Sequence, residues 1–153
     1  MELLRTHVAP DWIDYNGHMN VAYYHMAFDQ ATDRLLDKVG LGEDYLRREN
    51  GSMFALEDRM TYRQEVREGD PIRITFQLVD FDEKRVHYFL RMFHAEEGFL
   101  AATCEHLSTF VDMTTRRSAL MPKAVHEALA RLMTEHARLD RPEEMGRAIG
   151  IRR

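Results

Sequence analysis

Asp14, Asn16, His18 and Asn20 fall within seven residues, with Gly17 between them. A carboxylate such as Asp14 can attack a carbonyl carbon or draw a proton from an attacking water. Directly after this cluster an apolar pattern of helical spacing begins, so Asn20 stands where an N-cap belongs and Val21 at the first helical position. A helix start carries unpaired N–H groups and partial positive charge, which can hold a carbonyl oxygen as negative charge grows on it. Together these features suit acyl transfer. The same residues also satisfy a purely structural reading, with Asp14 and Asn16 forming turn hydrogen bonds, Asn20 only capping and His18 only packing.

The elements that must hold this cluster can be read outward from it. Residues 3–8 read as a short strand ended by Pro10, which leads into an irregular stretch up to Gly17. Val21, Tyr24, Phe28, Ala31, Leu35 and Val39 recur at helical spacing, with Gly40 placed to stop the helix. Residues 41–52 read as a charged connector with one helical turn. Four runs of strand character follow, at 53–66, 71–81, 85–95 and 99–113, separated by EGDP, FDEK and EEG. Short breaks lead us to expect antiparallel hairpins between them. Residues 123–139 return to helical composition, and 141–153 read as a polar, loosely held tail. The expectation is an α+β domain spanning residues 1–153, with one long helix against an antiparallel five-stranded sheet and a second helix near the C-terminus.

The 153 residues carry a formal net charge of -5, which argues against a nucleic-acid partner, since phosphate binding needs a clustered excess of Lys and Arg. Cys104 is the single cysteine, so neither an intrachain disulfide nor a thiolate-rich zinc site can form. That composition suits a reducing cytoplasm. The first residues hold no apolar signal segment, and no run is long and apolar enough to span a bilayer, so no membrane partner is expected.

The run Trp12-Ile13-Asp14-Tyr15-Asn16-Gly17-His18-Met19-Asn20, followed by Tyr24, resembles the signature of hotdog-fold thioesterases related to 4-hydroxybenzoyl-CoA thioesterase. The order of elements over about residues 3–113 and Tyr62 followed by Gly69-Asp70 extend the likeness. The resemblance implies a sheet wrapped around one central helix, hydrolysis of an acyl-CoA thioester, Asp14 as catalytic carboxylate and the Val21 N–H as oxyanion donor. It implies no cofactor beyond the coenzyme A of the substrate, and a homodimer or homotetramer with sheets paired edge to edge. Many relatives carry a further acidic residue two places before the aspartate, where this chain has Trp12. In detail the motif is similar to that of thioesterases linked to carnitine breakdown, which implies betainyl-CoA or another small acyl-CoA as substrate. Trp12, Tyr15 and Tyr23 could then offer aromatic faces to a trimethylammonium group.

Asn16, Gly17, His18 and Tyr24 join the substrate-binding candidates through the motif. Glu57 and His106 join them as polar residues set in strand-like runs, where a buried titratable group needs a partner. His18 and His25 are a weak metal signature, and no metal is expected. Arg116 and Arg117 could meet coenzyme A phosphates or form an ordinary solvated turn. The rival activities are a hotdog hydratase or dehydratase, against which the position of Asp14 before the helix argues, and a non-catalytic acyl-binding module.

Overall fold

The computed structural model describes residues 1–151. Its strands are β1 (Glu2–His7), β2 (Gly51–Tyr62), β3 (Pro71–Phe81), β4 (Arg85–His94), β5 (Leu100–Asp112) and β6 (Arg117–Ser118). Its helices are α1 (Val21–Val39), α2 (Glu43–Glu49) and α3 (Lys123–His136), with a short 3-10 turn at Pro10–Trp12. All strand pairs are antiparallel, in the order β1-β3-β4-β5-β2, and β6 adds two residues alongside β5.

The connections β3–β4 and β4–β5 are the expected hairpins. The expected β2–β3 hairpin does not form, because β2 crosses to pair with β5 and becomes an edge of the sheet. Composition cannot reveal this, since β2 and β3 carry equal strand character and the choice of partner is a long-range one. Residues 63–66, assigned to that strand from sequence, leave it as an irregular segment, and α2 is a full seven-residue helix where one turn was expected.

α1 is 19 residues long, about 28 Å at the helical rise. Its buried stripe is Tyr24, Ala27, Phe28, Ala31, Leu35 and Val39, packed on Ile74, Phe76, Tyr88, Leu90 and Met92 of the sheet. Small alanines at two stripe positions let the backbone approach the sheet closely. Val21, counted in the apolar stripe from sequence, is instead 58% exposed. Gly40 ends the helix at φ 84°, a left-handed conformation that glycine adopts without a Cβ penalty.

The opposite face of the sheet is largely polar, set around the buried Phe89. Arg59, Gln77, His87, Arg91 and Glu105 alternate with the core residues and point away from α1. The C-terminal segment lies across them: Gln77 Nε2 donates to the Asp140 carbonyl (3.0 Å), Arg63 pairs with Glu144 (2.7 Å) and the Gly146 N–H donates to Glu105 (2.8 Å). Pro142 and Glu144 are buried, so this tail is strapped down by specific bonds, contrary to its loose reading from composition.

α3 follows the part of β3 beyond the end of β1, where the Leu78 N–H donates to His136 Nδ1 (2.9 Å). Burial, then the nearby N-terminal charge, lowers the His136 pKa below its ordinary 6.5. The unfolded chain therefore binds a proton that the folded chain refuses, and this contribution to stability is lost as pH falls below about 6.5. A melting-temperature series from about pH 7 to about pH 5 should show a decline that is smaller in His136→Gln. Cys104 is buried and its thiol pKa is pushed well up by burial and by the Asp58 carboxylate. A disulfide reagent at mildly alkaline pH should leave the folded protein unmodified and react with one thiol only after denaturation.

Candidate functional site

The loop before α1 is a miniature hairpin. Ile13 and Met19 form an isolated antiparallel bridge, the Asp14 N–H donates to the His18 carbonyl (3.1 Å), and the Gly17 N–H closes the turn on the Asp14 carbonyl (3.0 Å). Gly17 sits at φ 81°, the left-handed residue that a connection of this length requires. The loop is fixed to the body of the protein through Val66, whose carbonyl accepts from the Met19 N–H (2.9 Å) and whose N–H donates to the Tyr24 hydroxyl (3.3 Å).

Within this frame both oxygens of Asp14 are oriented. Oδ1 accepts from the Asn16 N–H (2.8 Å) and Oδ2 from Asn20 Nδ2 (3.4 Å), while Asn20 Oδ1 accepts from the Ala22 N–H (2.9 Å). One amide side chain therefore caps the helix with its oxygen and holds the carboxylate with its nitrogen. The Tyr23 N–H donates to the Asn20 carbonyl, and no hydrogen bond occupies the Val21 N–H among the described residues. An exposed amide at the positive end of a 19-residue helix thus lies one residue from the group that orients a partly exposed carboxylate. Such an arrangement can stabilise an oxyanion beside a nucleophile or base.

The structure sorts the remaining candidates. Trp12 stacks on Tyr23, with centroids 5.8 Å apart, whereas Tyr15 projects from the turn 97% exposed and shares no aromatic face with them. Tyr24 is buried, its hydroxyl engaged by Val66 and its ring against Tyr62 (5.3 Å), so it positions the helix rather than lining an open site. The Asn16 side chain is exposed, and His18 Nδ1 lies 3.1 Å from the Met19 carbonyl. Arg116 lies over the Phe54 ring (5.4 Å), and Arg117 belongs to β6.

Glu57 is not brought to Asp14. It lines a cleft of about 400 Å³ with Arg59, His87, Glu105 and residues of the tail. His106 does face α1, stacked on Tyr88 (4.6 Å), but its acidic partner is Asp58, which meets His106 Nδ1. β2 shifts register between Ala55 and Glu57, and this brings Asp58 opposite His106. Burial acts to raise the Asp58 pKa, but hydrogen bonding and charge from His106, with smaller help from His25, outweigh it and hold the carboxyl below its ordinary range. Asp58, Cys104 and His106 bring ligand atoms within 4.8 Å of one another, although the thiol is held protonated and the carboxylate is already paired. A depression of about 680 Å³ lies at the other end of α1 between Asp33, Asp37 and α2 and does not include the motif loop.

A family profile described as thioesterase-like superfamily matches residues 8–129. The betainyl-CoA thioesterase of Pseudomonas aeruginosa is 34% identical over 95% of this chain and 92% of its own length. The L-carnitine dehydrogenase/betainyl-CoA thioesterase of Rhizobium meliloti is 33% identical over the whole chain, which spans only 31% of that larger protein. A Staphylococcus aureus protein solved in complex with CoA superposes with a TM-score of 0.93 at 29% identity, covering 99% of this chain and 96% of that one. By profile, by sequence and by the path of its sheet around α1, the chain belongs to the thioesterase-like superfamily and has the hotdog fold.

Proposed function

We propose that the protein hydrolyses an acyl-CoA thioester to a free acid and coenzyme A, with Asp14 as the catalytic carboxylate and the Val21 N–H as oxyanion donor. The observation that carries this reading is the Asn20 side chain, which couples the carboxylate to the helix start through its two ends. The thioester carbonyl oxygen accepts from Val21, so negative charge developing on it meets the helix dipole. Asp14 then either attacks the carbonyl carbon, expelling the thiolate of coenzyme A and leaving an anhydride that water hydrolyses, or deprotonates a water that attacks the carbon and expels the same thiolate. No cofactor beyond the substrate enters this chemistry.

The relatives named for betainyl-CoA favour a short acyl group bearing a quaternary ammonium as the substrate. The exposed edge strand β2, with Phe54, Leu56 and Tyr62 partly open to solvent, supports a homodimer or homotetramer built through that edge. Among the described residues no helix is long and apolar enough to cross a membrane, and a lone, buried, unpaired cysteine fits a cytoplasmic setting.

Thiol release from a panel of acyl-CoA esters, betainyl-CoA among them, tests the reading. Asp14→Asn, shown to fold by circular dichroism, should lose roughly 10²- to 10⁴-fold in kcat. Wild-type turnover in that variant would overturn the assignment.

A further inference from the structure

Val21 heads a helical stripe that continues through His25, Phe28 and Thr32, positions spaced so that their side chains share one face of α1. β2 runs alongside this stripe, with Tyr62 against Tyr24 near the helix start and Asp58 facing His25. Between them lies a small cavity of about 40 Å³, lined by His25, Phe28, Asp58 and His106. His25 lies about 6 Å along the axis from Val21, one turn into the helix. An acyl group whose carbonyl sits on the Val21 amide and whose chain follows the stripe therefore points at Asp58.

The two oxygens of Asp58 are not equivalent. Oδ1 is taken by His106 Nδ1 and approached by the Cys104 thiol, whereas Oδ2 lies 3.8 Å from His25 Nε2, beyond hydrogen-bond reach. No hydrogen bond reaches Oδ2 among the described residues. A carboxylate hydrogen-bonded through one oxygen, with only His25 at 3.8 Å near the other, is suited to a diffuse cation that donates no hydrogen bond, because only charge attraction is needed. A neutral acyl group in the same place would shield Oδ2 from water and return nothing, so the site would discriminate against it.

We propose that Asp58 is the counter-ion that selects a cationic acyl group, with Oδ2 facing a quaternary ammonium two bonds from the thioester carbonyl. This rests on the substrate reading given above for the same site. Asp58 touches the part of the substrate that does not react, so it sets specificity.

The test compares kcat/KM for betainyl-CoA and for tert-butylacetyl-CoA, its uncharged isostere, in wild type, Asp58→Asn and Asp58→Glu. Wild type should favour the cationic ester. Asp58→Asn should reduce that preference roughly tenfold or more, chiefly by loss on betainyl-CoA, and Asp58→Glu should restore part of it. If the asparagine variant fails to reach the wild-type circular dichroism spectrum, Asp58→Ser removes the charge while keeping an acceptor for His106. An equal loss on both esters, or an unchanged preference, would overturn the counter-ion role and leave the substrate reading standing. A wild type that does not distinguish the two esters would overturn the substrate reading itself, and the counter-ion role with it.

Discussion

Val66 commits both of its backbone groups to the start of α1, and the site depends on that clasp. Its carbonyl holds Met19 and its N–H holds Tyr24, so the last residue before the cap and the first buried residue of the helix are tied to one fully buried point. Without it, the helix would rest on its apolar stripe and on the Thr32 hydroxyl, which lies 3.2 Å from the Tyr88 hydroxyl. An oxyanion amide must sit within a few tenths of an ångström of its target to be useful. For the role proposed for the Val21 N–H, the clasp would supply that precision with two hydrogen bonds from a segment that belongs to no strand.

Asn20 carries the same precision one step further. A serine at this position would cap the helix as well, since capping needs only an acceptor oxygen. Asparagine adds a donor pointing the other way, and that donor reaches Asp14. The residue type is thus chosen by two neighbours at once.

Much of the fold was legible because it rests on local signals. α1 announced itself through Asn20, its apolar period and Gly40, and β3 and β4 through alternation of buried and exposed positions. What escaped had a long-range cause. The partner of β2 depends on which edge is free after β5 has formed, and no property of residues 51–62 encodes it. The motif loop was recognised as a unit, but its anchor at Val66 lies 42 residues from Tyr24 and is an ordinary valine using only its backbone. Asp58 was not singled out because it and Glu57 are adjacent acids in one strand-like run, and the register shift in β2 that pairs Asp58 with His106 is set by the fold.

The tail across the polar face of the sheet divides the molecule into two regions of unlike cohesion. The face toward α1 is sealed by apolar packing, whereas the other is held by Arg63, Gln77 and Glu105 bonding to residues 140–146. Polar contacts of this kind exchange readily with water, while the apolar core opens only when the sheet and helix separate. Amide hydrogens of the strap should therefore exchange with solvent by local opening, leaving those of β3, β4 and α1 protected. The loop that carries Asp14 packs through Trp12, Ile13 and Met19 on the apolar core, away from the strap.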